Sequence, residues 1–181
     1  ASARHATVYS FEPNRDAYAA LCANITRNKL THLVKPQRIA VGDKNGRVYL
    51  AKVDYFGSFV SRSVTGAADV EKVTMITIDS FRKKYAMGKV DSIKCDVEGM
   101  ELPVLMGARE TIDHYRPNIL IELHEELANK FGYSTAEVFA FFQKLGYTYY
   151  FVTDSGKLMS PLRDRQRELA LGHNFFFYPN M

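Results

Sequence analysis

The sequence predicts an α/β protein built on a mainly parallel sheet with helices on both faces and an antiparallel edge strand. Three observations carry that reading. Short β-branched and aromatic runs alternate with stretches of helical period along most of the chain. Several of the helical stretches open on a capping residue and the clearest closes on glycine. The last two strands have a short connection, which suits antiparallel pairing at one edge. With 181 residues, 46% hydrophobic and 24% charged, the chain fits one domain with a sizeable core, and 1–181 reads as a single domain. It shows no internal repeat and no low-complexity tract.

The elements follow in order. "TVYSF" at 7–11 is a strand stopped by Glu12-Pro13-Asn14, and Asn14 caps a helix over 15–29 whose Ala17, Leu21, Ile25 and Asn28 keep a spacing near 3.6. "RIAVG" at 38–42 is a strand, Asn45-Gly46 a turn, and "RVYLAKV" at 47–53 a second strand that pairs with the first as a hairpin or flanks a sheet edge. Residues 54–72, rich in Ser, Gly and Asp, read as a mobile loop. "VTMITI" at 73–78 is a strand, and "DSFRKKYA" a short helix capped by Asp79 or Ser80. "VDSIKCDV" at 90–97 alternates Ile93, Cys95 and Val97 against Ser92, Lys94 and Asp96, so it is a strand buried on at least one face.

After Gly99 one helical segment runs to about residue 116, with Pro103 tolerated in its first turn. "NILIELH" at 118–124 is a strand. Ser134 and Glu137 form a capping box for a helix that closes at Gly146. "YTYYFVT" is a strand, "DSGK" a turn, "PLRDRQRELAL" a helix or irregular link, and "NFFFY" at 174–178 the last strand.

Composition narrows the function. The net charge of +4 comes from 24 basic and 20 acidic residues spread along the chain, and only "RKK" at 82–84 and "RDRQR" at 163–167 are locally basic. That argues against nucleic-acid binding, which concentrates basic residues on one face. Eleven tyrosines and twelve phenylalanines lie mostly in apolar runs and serve the core. No apolar run approaches the roughly 20 residues that span a bilayer, and the start has no signal-peptide pattern. Cys22 and Cys95 belong to no CxxC pair and have no His at metal-ligand spacing, so they read as reduced thiols of a soluble, cytoplasmic protein.

The chemistry-bearing residues gather at strand ends. Glu12 ends the first strand, Gly42 and Asp43 the second, Asp96 and Glu98 the central one, and Glu122 and His124 the next. Open parallel sheets bind ligands beyond the carboxyl ends of their strands. Three acids around Gly99, namely Asp96, Glu98 and Glu101, are more than one helix start needs, although each alone could cap it or complement its dipole. Gly99 suits a strand-to-helix turn with no room for a Cβ. Glu12 could equally support the following helix or accept bonds from ribose hydroxyls, and His124 could be an ordinary surface histidine.

Taken together, "VYSFEPNRDAYAALCANITRNKL", "IAVGDKNGRVYL", "TIDSF", "VDSIKCDVEGMELPVLMGA" and "RPNILIELH" resemble the FkbM-type S-adenosylmethionine-dependent methyltransferases, five ordered blocks over about residues 8–125. The resemblance implies a Rossmann-like class I methyltransferase fold and O-methylation of a hydroxyl on a small molecule or sugar, with S-adenosylmethionine as cofactor. It implies that Glu12, beside Pro13, holds the cofactor ribose. Ala40, Val41 and Asp43 would lie near the adenine. Asp96 and Glu98 would face the methionine part and the acceptor, and Glu122 and His124 would border the substrate pocket. The catalytic set is then Asp96, Glu98, Glu122 and His124, with Asp96 shared with the cofactor. Asp96 and Glu122 could support a divalent cation, although the sequence does not show a complete ligand set.

The family's glycine-rich turn should precede Glu12 by about one helix, whereas only eleven residues stand before it, so the first strand and its cofactor loop are expected to be missing here. Two other readings remain open at this point. One is a non-catalytic α/β binding module derived from a methyltransferase. The other is a nicotinamide-dependent reductase, disfavoured by the lack of a G-x-G-x-x-G.

Overall fold

The computed structural model describes residues 6–53, 57–61 and 70–180. The chain divides into two compact units, Ala1–Ile76 and Thr77–Met181. No helix among the described residues is long and apolar enough to cross a membrane.

In the first unit, β1 (Val8–Phe11), α1 (Arg15–Arg27) and β2 (Val34–Gln37) make a strand–helix–strand unit in which β1 and β2 pair in parallel, Val8 opposite Val34 and Phe11 opposite Gln37. Asn14 caps α1 as expected, its side chain accepting the Asp16 N–H at 2.9 Å and the Ala17 N–H at 3.0 Å. β2 was not anticipated, because "VKPQ" carries a proline and little apolar content. β3 (Ala40–Val41), β4 (Gly46–Val53), β5 (Gly57–Ser61) and β6 (Val70–Ile76) form a second sheet in the order β3-β6-β4-β5. Val48 faces Val73 across the β4–β6 ladder, and both are buried with Leu50 and Met75.

Two expectations change here. β3 pairs in parallel with β6 and makes no hairpin with β4, which runs antiparallel to β5 and β6. The segment 54–72 is not all loop, since it contains β5 and the start of β6; residues 54–56 and 62–69 lie outside the described residues.

The second unit holds α2 (Ile78–Lys84), β7 (Ser92–Cys95), α3 (Glu101–Gly107), α4 (Arg109–Tyr115), β8 (Asn118–Glu122), α5 (Glu125–Lys130), α6 (Thr135–Lys144), β9 (Tyr147–Val152), β10 (Leu158–Met159), α7 (Arg165–Leu171) and β11 (Asn174–Pro179). Its sheet runs β10-β9-β11-β8-β7. β7 and β8 pair in parallel, and β11 runs antiparallel to both β8 and β9. β7, β8 and β9 therefore share one direction. The last strand does pair antiparallel with β9 as expected, but it enters between β8 and β9, and the antiparallel edge strand is the two-residue β10.

The core of this unit is aromatic. Phe139, Phe142, Phe151, Phe175 and Phe177 are buried beside Ile119, Ile121 and Leu123. The rings of Phe142 and Phe177 stack at 3.9 Å, and Phe139 meets Phe175 edge-on at 5.1 Å. Glu168 of α7 is fully buried and is satisfied by the Tyr149 hydroxyl at 2.9 Å and the Leu162 N–H at 2.5 Å. Burial, then the bond to Glu168, pushes the Tyr149 phenol up to about 12.

Capping differs from the sequence reading in one instructive way. Thr77 caps α2, its hydroxyl accepting the Ser80 N–H at 3.0 Å, where Asp79 or Ser80 was expected. Asp79 is employed elsewhere. Its carboxylate accepts the Glu110 N–H at 3.0 Å, the Thr111 N–H at 2.8 Å and the Thr111 hydroxyl at 2.6 Å. Those are first-turn groups of α4, so the single helix expected after Gly99 breaks at Ala108 into α3 and α4.

Candidate active site

The turn from β7 to α3 holds the three acids at 96–101, and their environments separate them. Glu101, the first residue of α3, is 3% exposed. Its Oε1 accepts the N–H of Gly99 at 3.0 Å and of Val97 at 3.3 Å, and its Oε2 accepts the Tyr133 hydroxyl at 3.0 Å. The Tyr133 oxygen also lies 2.9 Å from the Gly99 carbonyl. Burial and then the Glu101 charge push the Tyr133 phenol up, so it stays protonated and donates. Glu101 is thus the internal clamp of the turn. Asp96 and Glu98 are exposed instead, with Asp96 paired to Lys94 at 2.7 Å.

The clamped turn is strained. Glu98 has φ +53° and Gly99 φ +97°, two successive left-handed residues of which only the second is glycine. A Cβ at Gly99 would sit 2.7 Å from the Leu127 carbonyl oxygen and 2.9 Å from the Phe131 ring. Gly99→Ala is therefore expected to cost roughly 1–3 kcal/mol through positive φ and the forced shift of α5. A melting temperature equal to the parent's would contradict this.

One position beyond the last β7–β8 pair, Cys95 opposite Ile121, the chain places Asp96 just after β7 and Glu122 at the end of the neighbouring β8. Glu122 Oε1 lies 3.1 Å from His124 Nε2, both side chains about a third exposed. A carboxylate oxygen accepts here, so His124 donates Nε2–H, and in the neutral form of the ring the lone pair is on Nδ1. His124 also stands just before α5, a short helix the sequence reading missed. The His124 ring packs on that of His173, centroids 4.0 Å apart and tilted 30°. His173 was overlooked because it precedes the last strand and belongs to no motif; the antiparallel register, Asn174 opposite Glu122, is what brings it to His124. Cys95 is buried, and its thiol is pushed up by burial and by the Glu101 charge, which leaves it inert.

In the first unit, Glu12 follows β1 and stays bonded to that sheet, its N–H donating to the Gln37 carbonyl at 3.0 Å. Its half-buried carboxylate accepts the Asn14 N–H at 2.8 Å, and burial raises its pKa against the lowering effect of that bond. Pro13 sits between them. Ala40 and Val41 form β3, Gly42 donates to the Ile76 carbonyl at 3.2 Å, and Asp43 is half-buried. The expected single rim of four strand ends is met in part: β7 and β8 are neighbours, while β1 and β3 belong to separate sheets of the other unit. Among the described residues no three of His, Cys, Asp and Glu gather as metal ligands.

The comparisons with known proteins follow the same lines. A family profile described as the methyltransferase FkbM domain matches residues 1–149. The chain belongs to the FkbM methyltransferase family. Glu12, Asp43, Asp96, Glu98, Glu101, Glu122 and His124 lie inside the matched segment, and His173 lies beyond it. Among solved structures, the methyltransferase FkbM from Methylobacillus flagellatus KT is similar, with a TM-score of 0.60 and 18% identity. The match covers 95% of this chain and 36% of that one, and at this identity it supports the Rossmann-like fold alone. No curated protein matches the chain.

Proposed function

We propose that this FkbM-family chain serves S-adenosylmethionine-dependent O-methylation of a hydroxyl on a small molecule or sugar. The observation that carries the reading is the Glu122–His124 dyad at the end of β8. A hydroxyl is a weak nucleophile at neutral pH, and a carboxylate-held imidazole with a bare Nδ1 is a suitable acceptor for its proton.

The residues also suit the cofactor. S-adenosylmethionine, when bound, supplies a methyl group made electrophilic by its sulfonium. Glu12, a carboxylate fixed at a strand end by the Asn14 N–H, is the kind of group that accepts bonds from ribose hydroxyls. Pro13, Ala40, Val41 and Asp43 would border the nucleoside, and Asp96 the methionine part. Asp96 and Glu98, exposed on the clamped turn, would orient the acceptor hydroxyl by hydrogen bonds. His124 Nδ1 would take the hydroxyl proton, and Glu122 would stabilise the imidazolium that results.

Glu12 gives this reading a pH dependence. Its pKa in the folded protein lies above the ordinary 4.5. The folded state therefore binds its proton more tightly than the unfolded chain, and this group's contribution to stability falls as pH rises from 4.5 through the folded value. Cofactor affinity is expected to move the opposite way over that window, rising with pH as the carboxylate ionises. Titrations of S-adenosylmethionine across that range test it, and an affinity that does not change with pH removes Glu12 from the ribose.

A further inference from the structure

The His124 imidazole is held by one hydrogen bond at one edge, and about a third of its side chain is exposed. A single edge contact leaves the ring free to swing about its side-chain torsions, which would break the bond to Glu122 and mix the two neutral tautomers. Something must hold the face of the ring. His173 is placed to do so.

His173 is itself fixed on three sides. Its carbonyl accepts the Leu123 N–H at 2.8 Å, extending the β8–β11 ladder by one residue. Its ring Nδ1 lies 3.2 Å from the Leu123 carbonyl, an atom that only accepts, so Nδ1 carries the proton. The preceding Gly172 presses against the Val152 carbonyl so closely that a Cβ there has no space. With backbone and ring both tied to Leu123, the His173 ring packs against the His124 ring, centroids 4.0 Å apart and planes tilted by 30°. This is tighter than the usual 4.5–7 Å for ring pairs.

We propose that His173 is a positioning residue: its ring packs against the His124 ring, holds that imidazole against Glu122, and so keeps His124 Nδ1 bare and aimed in one direction. The inference rests on the dyad proposed above as the base, and it adds a residue just before β11, outside the segment matched by the family profile. His173 contacts neither cofactor nor acceptor in this scheme and acts only through His124.

Two substitutions separate the ring from its hydrogen bond. His173→Asn keeps a donor for the Leu123 carbonyl and removes the flat ring; His173→Phe keeps a flat ring and removes the donor. The readout is the long-range proton–nitrogen correlation spectrum of the imidazoles in 15N-labelled protein at roughly pH 8, above the ordinary histidine range. The parent should show His124 as one tautomer, with Nε2 protonated and Nδ1 not. His173→Phe should keep that pattern, and His173→Asn should shift both His124 nitrogen signals toward a mixture. An unchanged spectrum in His173→Asn overturns the proposal, and so does a His173→Phe spectrum as mixed as that of His173→Asn. The measurement concerns the ring alone, so it decides the role of His173 whether or not His124 proves to be the base. That second question is decided separately by turnover of a His124 variant.

Discussion

Glu101→Ala should lower the stability of the chain by about 3–5 kcal/mol. The carboxylate is 3% exposed and serves three donors: the N–H groups of Val97 and Gly99 and the Tyr133 hydroxyl. Alanine leaves the two backbone N–H groups without this acceptor, while the Tyr133 hydroxyl keeps the Gly99 carbonyl at 2.9 Å, and each buried donor left without a partner costs about 1–3 kcal/mol. The loss is larger than capping alone would give, because Glu101 ties a strained turn to Tyr133, 32 residues further on. Glu101→Gln retains one acceptor oxygen for the backbone N–H groups and is expected to cost about half as much. The check is a pair of urea unfolding curves at equal slope. A loss under 1 kcal/mol for the alanine variant would mean that the turn stands without its clamp.

His124→Gln is expected to lower methyl transfer by about 10²–10⁴-fold, the usual contribution of a positioned general base. Glutamine can still donate to Glu122, but it offers no basic nitrogen to an acceptor hydroxyl. Affinity for S-adenosylmethionine should stay as in the parent, since His124 has no place in the cofactor set. The assay is transfer of labelled methyl from S-adenosylmethionine to an acceptor found by screening sugars and small alcohols. Turnover within a few-fold of the parent would remove His124 from the chemistry and return the proton-acceptor role to Asp96 or Glu98.

Local signals were legible in the sequence wherever their partners lie within a few residues. Asn14 capping α1 and the Ser134–Glu137 box before α6 both stood out, because the bonds they make span two or three positions. Asp79 did not, since its partners on α4 lie 31 and 32 residues away, and a carboxylate next to a helix start looks like that helix's own cap. The short α5 has only six residues and too little apolar period to announce itself. β5 is a short strand within a run rich in small and polar residues, and only its pairing with β4 reveals it.

The same limit governs the site. Asp96, Glu98 and Glu101 are equivalent as letters, and the sequence could count three acids around a glycine without dividing their roles. Tyr133 divides them, taking Glu101 into the interior and leaving the other two exposed. The lack of room at Gly99 was expected from the strand-to-helix turn, but the atoms that crowd it are those of Leu127 and Phe131 at α5, which the sequence reading had not placed. The Glu122–His124 pairing was within reach, as alternate residues of an extended segment share a face. His173 was not, because its place depends on a β11 that enters between β8 and β9.

S-adenosylmethionine-dependent methyl transfer requires that the chain bind the cofactor, and calorimetric titration of S-adenosylmethionine into the parent chain and into Glu12→Ala tests this most directly. The account predicts single-site binding by the parent and a loss of about 2 kcal/mol, roughly thirtyfold in affinity, when the carboxylate and its bonds to the ribose are removed. No binding heat with the parent, or equal affinity for the two proteins, would contradict it.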